Sequence, residues 1–333
     1  MAGKVLVLGA TGGIGGEMAR QLQGSGWDVL ALHRRTPPQG EVRDGIAWIR
    51  GDAMDAASVA AAARGCDVIV HAVNPPGYRR WAELVLPMVD NTIAAAQAEG
   101  ATIVLPGTVY NFGPDAFPLL TEASPQRPLT RKGAIRVEME RRLAKAAESG
   151  ARVLVVRAGD FFGPRAANNW FSQGLVSPGR PLRMIRLPGD PGVGHLWSYL
   201  PDVARTMVDL LARRDTLDPF AVFHTGGHWD GDGMAMARAI QDSVVRHGGQ
   251  LPRVGRFPWW LTALASPFVP TLRELREMRY LWRAELRMDN TRLRAVLGRE
   301  SQTPLAEAVD ATLTSLGFFD RGLAGDAPNP SAT

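Results

Sequence analysis

A glycine-rich turn directly after the first apolar run constrains the fold of this chain more than any other feature. Residues 9–16 read Gly-Ala-Thr-Gly-Gly-Ile-Gly-Gly, and a stretch with helical periodicity follows them. Glycines at such a junction permit a tight turn, let backbone N–H groups approach a pyrophosphate, and bring the helix close to the strand. A glycine-rich loop without a ligand is the alternative. The strand before the turn and the helix after it favour a dinucleotide-binding turn.

Apolar, β-branched runs alternate with longer amphipathic runs through the first half of the chain. Several predicted strands are apolar on both faces, as buried parallel strands are. The predicted strands are Val5–Leu8, Asp28–Leu32, Ala47–Ile49, Val68–His71, Thr102–Leu105 and Val153–Val156. The predicted helices between them are Ile14–Gln23, Ala56–Ala63, Trp81–Ala98 and Arg131–Ser149. This order predicts an α/β fold of the Rossmann type, with a doubly wound parallel sheet.

The regular alternation loosens after about residue 160, where Gly and Pro become frequent. We expect residues 1–160 to form the dinucleotide-binding domain, with core strands continuing to about residue 225. Residues 161–323 are expected to form a smaller C-terminal α/β region that binds the substrate and is interleaved with the first domain, and residues 324–333 a flexible tail. The later predicted elements are a strand at Phe220–His224 and helices at Pro201–Arg213, Gly233–Arg246, Leu272–Ala284 and Pro304–Leu316.

Composition excludes several function classes. The chain has 333 residues, with 38 Lys+Arg against 33 Asp+Glu, and no basic block stands out along it, so we expect no nucleic-acid partner. The longest apolar stretch, at residues 257–270, contains three prolines and is shorter than the roughly 20 residues of a membrane span. We therefore predict a cytoplasmic protein with no membrane partner. One cysteine, Cys66, excludes an internal disulfide and a thiolate zinc cluster, and we expect no metal.

Segments beyond the turn carry a resemblance to the short-chain dehydrogenase/reductase superfamily. The spacing Gly-x-x-Gly-x-x-Gly with Thr11 inside it resembles the turn of that superfamily. Later segments are similar to its extended branch, the NAD-dependent epimerase/dehydratase-like family. These segments are Gly51-Asp52, His71-Ala72-Val73-Asn74, Gly107-Thr108-Val109-Tyr110, Arg157 to Pro164 and Tyr199 to Ala204. The resemblance implies a nicotinamide dinucleotide cofactor and an epimerase, dehydratase or reductase activity.

The end of the second predicted strand bears on which cofactor binds. The strand ends Leu32-His33-Arg34-Arg35, and no Asp or Glu follows before Glu41. At this place in such a fold an acidic side chain binds a ribose 2′-hydroxyl, whereas an arginine pairs with a 2′-phosphate. The two arginines therefore favour NADP(H) over NAD(H), and the alternative is that both are merely solvated. The predicted cofactor-binding residues are Gly9, Thr11, Gly12, Gly13, Ile14, Gly15, Arg34, Arg35, Asp52, Ala53, Ala72, Val73, Asn74, Gly107, Lys132 and Ala158.

The usual catalytic residues of the superfamily are absent. In typical relatives a Tyr, and a Lys four residues later, lie at the start of the helix beyond the fifth strand. The resemblance places Lys132 at the Tyr position and Arg136 at the Lys position, which is similar to the isoflavone-reductase-like branch. The customary Ser falls on Pro106, with Thr108 two residues further along. The predicted catalytic residues are Lys132, Arg136, Thr108 and Tyr110.

The pair Lys132 and Arg136 suggests how proton transfer could occur without the Tyr. The two residues are i,i+4 neighbours, so their side chains project from one helical face. A nearby guanidinium and an oxidised nicotinamide would both disfavour the ammonium form of Lys132, which suits a group that gives and takes a proton. Arg136 could donate to ribose hydroxyls. The alternative is that both side chains bind cofactor phosphates or face solvent.

Aromatic and polar residues after the sixth predicted strand are candidates for the substrate side. The predicted substrate residues are Asp160, Phe161, Asn169, Trp170 and Trp197, and Asn168 is a further candidate. Aromatic walls with amides indicate a partly apolar substrate that carries a carbonyl group. We expect Trp259 and Trp260 to be core or interface residues rather than a lid. His195 and His224 are expected to pack rather than to act as bases.

The sequence therefore predicts an NADPH-dependent oxidoreductase of a small organic carbonyl or alcohol, with Lys132 as the proton donor or acceptor. An epimerase or dehydratase that uses the cofactor transiently is the enzymatic alternative. A regulator that binds NADP(H) without turnover is the non-enzymatic one, because the Tyr is missing. The resemblance also allows a homodimer formed through the helices at Trp81–Ala98 and Arg131–Ser149.

Overall fold

The computed structural model describes residues 3–75, 80–166, 169–266, 273 and 276–319. The predicted tail at residues 324–333 and the candidate Asn168 lie outside the described residues. The strands are β1 (Lys4–Leu8), β2 (Asp28–His33), β3 (Glu41–Arg43), β4 (Ile46–Arg50), β5 (Val68–His71), β6 (Thr102–Gly107), β7 (Leu119–Leu120), β8 (Arg152–Arg157), β9 (Asp160–Phe162), β10 (Met184–Leu187), β11 (His195–Tyr199), β12 (Phe220–His224), β13 (His228–Asp230), β14 (Arg253–Arg256) and β15 (Arg287–Met288). The longer helices are α1 (Gly13–Gly24), α2 (Ala56–Ala63), α3 (Trp81–Glu99), α4 (Arg131–Glu148), α5 (Leu200–Leu211), α6 (Ala235–Arg246) and α7 (Trp259–Ala265), followed by Thr291–Leu297 and Leu305–Ser315.

An eight-stranded sheet in the order β12-β8-β6-β5-β1-β2-β4-β3 forms the centre of the fold. All neighbouring strands are parallel except β3, which pairs antiparallel with β4. Every strand predicted in the first half of the chain lies in this sheet, and the predicted strand at Phe220–His224 forms its edge. The predicted Rossmann-type α/β fold is confirmed.

Strand β1 shows why helices cover both faces of the sheet. Its Val5 and Val7 side chains join the apolar cluster that includes residues of α1 and α5. Its Leu6 and Leu8 side chains join the cluster that includes residues of α2, α3 and α4. Successive residues of a strand point to opposite faces, so an uninterrupted apolar strand needs a covering layer on each side.

A second, smaller core lies in the C-terminal half. The three-stranded sheet β13-β11-β9 and the pair β10 and β14 are separate from the main sheet. Their apolar side chains pack with those of α6 and of the last helix, Leu305–Ser315, around Phe162, Trp197 and Trp282. Because β12 returns to the main sheet between β11 and β13, the chain of this region passes through both cores.

Two local features differ from the sequence-based expectation. The hairpin between β3 and β4 was not predicted, and its turn contains Asp44 and Gly45, which both have a positive φ. The predicted helix at Leu272–Ala284 lies partly outside the described residues, and its described end, Met278–Trp282, is a 3₁₀ helix. Met278, Leu281 and Trp282 are buried there, and the tighter 3₁₀ turn brings side chains three residues apart onto one side.

The described residues contain no helix that is both long and apolar enough to cross a membrane. Within the same residues, no group of three or more His, Cys, Asp or Glu side chains could hold a metal ion. Cys66 is buried as a free thiol, and burial raises its pKa to about 11. A thiol with this pKa stays protonated and packs as a small apolar side chain.

The close approach at Gly15 generates a test of the fold with a control in the same helix. A Cβ at Gly15 would lie 2.3 Å from the carbonyl oxygen of Gly9, whereas a Cβ at Gly24 would meet no atom within 4 Å. We expect Gly15→Ala to lower the free energy of unfolding by about 1–3 kcal/mol, since the backbone must move. Gly24→Ala should be neutral or stabilising by up to about 1 kcal/mol. Urea unfolding without cofactor measures both, and equal values would contradict the packing described.

Candidate functional site

The glycine turn brings β1, α1 and the end of β5 into contact. Gly9 has φ +93°, and its carbonyl oxygen accepts a hydrogen bond of 2.9 Å from the N–H of Gly12. A Cβ at Gly9 would lie 2.5 Å from the carbonyl oxygen of Ala72, and one at Gly15 would lie 3.1 Å from the Ala72 Cβ. Side chains at these two positions would therefore push the helix off the sheet.

The first turn of α1 is open to an anion. Gly12 is the N-cap of the helix and offers no side chain to bind its first N–H groups. Thr11 and Gly12 are exposed, while Gly13 and Ile14 are half-buried. Unsatisfied N–H groups and the positive end of the helix dipole together attract phosphate. The cradle fits the pyrophosphate of a dinucleotide.

Positive charge collects at the end of β2. Arg34 and Arg35 are exposed directly after the strand, and the N–H of Arg35 donates to Nδ1 of His33 at 3.3 Å. Burial lowers the pKa of His33, and the charges of Arg35, Arg43 and Arg34 lower it further. The guanidinium of Arg43 stacks 4.1 Å from the Trp48 ring and lies 3.3 Å from Glu41. Arg34, Arg35 and Arg43 are all exposed, and of the three Arg43 is the one that contacts Glu41 and Trp48.

Other predicted cofactor residues lie at the carboxyl ends of neighbouring parallel strands, which share one edge of the sheet. Asp52 and Ala53 follow β4, and Asp52 Oδ1 accepts the N–H of Met54 at 3.0 Å. Ala72, Val73 and Asn74 follow β5. Gly107 ends β6 and Ala158 follows β8. The fold therefore aligns these positions with the glycine turn along a single edge.

His71 packs beside this edge of the sheet, and its ring is neutral. It is buried at the end of β5, and its Nδ1 lies 2.7 Å from Thr92 Oγ1. Thr92 donates its hydroxyl hydrogen to the carbonyl of Met88 at 3.1 Å, so Nδ1 of His71 carries the hydrogen between the ring and Thr92. Burial and the nearby Arg136 charge lower the pKa of His71 to about 3.

The start of α4 carries Lys132 and Arg136 into the interior. Thr130 is the N-cap and accepts the N–H of Gly133 at 3.0 Å. Lys132 is 4% exposed and Arg136 is 6% exposed. Arg136 Nη2 donates to Asn74 Oδ1 at 2.8 Å, and its guanidinium lies 5.1 Å from the Trp81 ring. The structure therefore joins a predicted catalytic residue to a predicted cofactor residue.

A glycine lets α4 approach the segment after β6. A Cβ at Gly133 would lie 2.2 Å from the carbonyl oxygen of Tyr110. In that segment Thr108 Oγ1 donates to Asn111 Oδ1 and accepts the N–H of Tyr110, both at 3.3 Å. Thr108 and Tyr110 thus lie next to the start of α4, and the four predicted catalytic residues belong to two adjoining segments.

A buried polar network that the sequence reasoning missed connects these segments to β8. Arg157 is 1% exposed and pairs with Glu140 of α4. Glu140 Oε2 also accepts from Gln126 Nε2 at 3.2 Å, and Gln126 Oε1 accepts from Asn111 Nδ2 at 2.9 Å. The signal was an arginine that ends the apolar strand Arg-Val-Leu-Val-Val-Arg, where only a buried partner makes the charge tolerable.

His224 closes the same network at the end of β12. Arg157 Nη1 lies 3.1 Å from His224 Nε2, and His224 Nδ1 lies 3.4 Å from the carbonyl oxygen of Leu120. Burial and the Arg157 charge lower the pKa of His224 to about 3. A neutral ring with its hydrogen on Nδ1 satisfies both contacts, since Nε2 then accepts from the guanidinium.

Trp197, one of the predicted substrate residues, lines an aromatic cavity. Asp160 Oδ2 lies 2.9 Å from Nε2 of His195, and the His195 ring stacks on Trp282 with centroids 3.6 Å apart. Trp197 is 2% exposed and its ring lies 5.6 Å from that of Trp282. His195, Trp197 and Trp282 line a cavity of about 230 Å³. Neither His195 nor Trp282 was predicted as a substrate residue.

The remaining substrate candidates lie farther from this cavity. Trp170 stands behind Trp282, with ring centroids 5.2 Å apart. Asn169 Oδ1 accepts the N–H of Ser172 and so shapes the backbone there. Phe161 is half-buried and packs against the cluster of the main sheet. The structure therefore places Trp197 in the lining and Asp160 behind the lining residue His195, and it leaves the other three residues outside the lining.

Trp259 and Trp260 have different environments. Trp259 packs against Trp170 and Phe257, and its Nε1 donates to the carbonyl of Pro188 at 2.8 Å. Trp260 is 65% exposed. Trp259 is thus a core residue, whereas the Trp260 side chain lies at the surface, where an interface role stays a prediction.

Comparison with known proteins identifies the family. The sequence profile of the NAD dependent epimerase/dehydratase family matches residues 5–226, which is most of the chain. The chain belongs to this family. It is an NAD(P)-dependent enzyme of the extended short-chain dehydrogenase/reductase group.

Individual relatives are more distant. A stretch of 101 residues is 35% identical to 2-alkyl-3-oxoalkanoate reductase of Stenotrophomonas maltophilia (strain K279a) and covers 29% of this chain and 30% of the reductase. The fold is similar to that of MoeE5 in complex with UDP-glucose and NAD, with 21% identity, a TM-score of 0.70, and coverage of 97% of this chain and 100% of the other. UDP-glucose 4-epimerase from Bifidobacterium longum in complex with NAD+ and UDP is 14% identical, with a TM-score of 0.69 and coverage of 96% and 98%. At these identities the two structures support the fold alone.

The buried histidines generate a prediction about acid stability. The folded-state pKa of His71 is about 3, below its ordinary value of 6.5. Between these two pH values the unfolded chain binds a proton at His71 and the folded chain does not. This contribution to stability is complete above about pH 6.5 and is lost as the pH falls toward 3, by up to about 1.4 kcal/mol per pH unit. We expect His71→Gln to show a correspondingly smaller loss of stability between pH 6 and pH 4.

Urea unfolding at several pH values measures this slope. The control is His247→Gln, since His247 stacks on Phe319 near the C-terminal end of α6 and lies outside this network. It should leave the stabilising effect of the neutral His71 in place. An unchanged slope in the His71→Gln protein would show that His71 is protonated in the folded chain.

Proposed function

We propose that this protein is an NADPH-dependent oxidoreductase of a small organic carbonyl or alcohol, with Lys132 as the proton donor or acceptor. The observation that carries the proposal is the burial of Lys132 one helical turn from Arg136, which is hydrogen-bonded to Asn74 at the cofactor edge. A lysine is seldom buried without a role or a partner. A general acid must be held in place beside the reacting oxygen, and a lysine buried at the start of a helix is held in this way.

Each group of residues has a separate role in this proposal. The glycine turn and the first turn of α1 bind the pyrophosphate, and Arg136 with Asn74 orients the ribose. When bound, the nicotinamide gives or takes the hydride. Lys132 protonates the carbonyl oxygen during reduction and takes the proton back during oxidation. Thr108, whose hydroxyl accepts the N–H of Tyr110, would turn its hydrogen from Asn111 to that oxygen and fix its position.

The preference for NADP(H) is part of the proposal and rests on charge. Arg34 and Arg35 are exposed where β2 ends, and Arg43 adds to the positive field there. Guanidinium groups pair with a phosphate in a bidentate way, so a 2′-phosphate would be bound and a 2′-hydroxyl would gain little. Glu41, the first carboxylate that follows these two arginines along the chain, is 3.3 Å from Arg43.

The role of Lys132 can be tested with a control on the same helix. We expect Lys132→Met to lower kcat for carbonyl reduction by about 10²–10⁴-fold, the usual contribution of a general acid. Lys145→Met should keep the activity, because Lys145 is exposed in the last turn of α4. The measurement is NADPH oxidation with a panel of ketones, aldehydes and enones. Full activity of Lys132→Met would remove Lys132 from the chemistry.

The cofactor preference has its own test. We expect the double variant Arg34→Ala with Arg35→Ala to bind NADPH about 10–100-fold more weakly, since two charge-assisted hydrogen-bonding groups are lost. Its affinity for NADH should stay the same. Calorimetric titration measures both affinities, and Arg294→Ala is a control on a C-terminal helix remote from β2. Tighter binding of NADH than of NADPH by the unsubstituted protein would refute the preference.

An epimerase or dehydratase is the second candidate, because the family and the structural neighbours include such enzymes. Formation of an isomerised or dehydrated product without net consumption of NADPH would favour it. NADP(H) binding without any Lys132-dependent turnover across the panel would instead favour a regulator.

A further inference from the structure

We infer that the cavity lined by His195, Trp197 and Trp282 binds an uncharged, apolar group that carries one hydroxyl, such as an aryl or alkyl alcohol. This inference rests on the proposed function where it makes that group part of the substrate. Its structural basis is independent, since the cavity lies in the smaller core and contains none of the residues proposed to bind the cofactor. We call it the aromatic cavity.

The size and lining of the aromatic cavity set the class of ligand. Its volume is about 230 Å³. An engineered apolar cavity of about 150 Å³ is enough to bind benzene, so this space accepts a substituted ring or a short alkyl chain. Besides the aromatic residues, its lining includes Leu187, Met234, Met236 and Val254. Flexible thioethers adapt to ligands of different shape.

The carboxylates at the cavity already have partners. Asp230 accepts the N–H groups of Ala235 and Met236 at 2.8 and 3.0 Å, which caps α6. Asp232 pairs with Arg238 at 2.9 Å. These contacts hold both carboxylates in place, so the charges around the cavity include fixed negative ones.

Two further charged residues complete the lining. Asp190 lies 3.4 Å from Arg283. Arg256 is exposed, and it is the arginine among the described lining residues. Because Asp190 and Asp232 are already paired with arginines, the described lining offers a phosphate or a carboxylate only Arg256, and such an anion would have to leave water to enter an apolar space. The electrostatics therefore favour an uncharged ligand.

His195 gives the apolar wall one specific hydrogen-bonding position. Its ring is fixed on one side by Asp160, 2.9 Å from Nε2, and on one face by Trp282, with an interplanar angle of 9°. The contact to Asp160 makes Nε2 the donor, so Nδ1 of a neutral ring is an acceptor. Among the described residues, Asp160 is the hydrogen-bonding partner of His195. Nδ1 can therefore accept a hydrogen bond from a ligand hydroxyl.

The test uses the full chain and does not require turnover. The probes are benzyl alcohol, toluene and phenyl phosphate, and ligand-observed NMR titration gives the three dissociation constants. Phenyl phosphate can also bind at the glycine turn, so only the binding that Met234→Trp weakens is assigned to the cavity, and there we expect benzyl alcohol to bind at least 10-fold more tightly than phenyl phosphate. Phenyl phosphate binding that is as tight as that of benzyl alcohol and is weakened by Met234→Trp would overturn the inference that the cavity selects an uncharged group.

Two variants locate the binding. Met234→Trp replaces a thioether with a bulkier indole ring in the cavity. This change should weaken the binding of benzyl alcohol at least 10-fold. His195→Phe keeps a ring to stack on Trp282 but removes the nitrogen, so benzyl alcohol should weaken about 5-fold while toluene is unaffected. His247→Phe is the matched control, since that ring stacks on Phe319 at 3.8 Å, outside the cavity lining, and it should bind all probes as the unsubstituted protein does.

Each outcome has a separate meaning. Unchanged binding of benzyl alcohol to both Met234→Trp and His195→Phe overturns the inference. Loss of benzyl alcohol binding in His195→Phe, with toluene retained, supports it even where Met234→Trp does not fold. If the probes bind as expected but no ketone with an aryl or alkyl group is reduced, the proposed oxidoreductase function fails while the ligand class of the cavity stands.

Discussion

The buried ion pair between Arg157 and Glu140 holds together the two parts of the molecule that the candidate site needs. Arg157 ends β8, from which the chain continues to Asp160 and the smaller core, and Glu140 lies on the helix that carries Lys132. Two opposite charges removed from water are costly to separate, because either one alone would be left buried and uncompensated. Gln126 and His224 bind the same pair, so the segment after β6 and the edge strand β12 are fixed by it as well.

This constraint explains how a site without the usual Tyr can still be ordered. The start of α4 is positioned by the Thr130 cap, by the contact of Gly133 with Tyr110, and farther along by the ion pair. Lys132 lies in the first turn of this helix and is buried between these contacts. Arg136 then spans from α4 to Asn74, so the helix is tied to the edge where the glycine turn lies.

Charge is distributed differently at the two ends of the site. Exposed arginines lie at the end of β2, where a cofactor phosphate is proposed to bind. Carboxylates in fixed pairs surround the aromatic cavity, where the inference places an uncharged group. A ligand that carries phosphate is therefore attracted to the first location and disfavoured at the second. The net charge of +5 is a sum over the whole chain, so it indicates neither of these two local charge distributions.

The sequence by itself determined the fold class, the strands of the main sheet other than β3, and the position of the glycine turn. These depend on local periodicity and on glycines whose neighbours in sequence are also their neighbours in space. The resemblance to the superfamily also singled out Lys132 and Arg136, whose spacing places them on one helical face. The sequence could not show that Arg157 pairs with Glu140, that His195 stacks on Trp282, or that Trp259 is packed while Trp260 is exposed. Only the tertiary structure decided these points, since each depends on residues distant in the chain or on how one helix faces the core, and burial determines which charges need a partner.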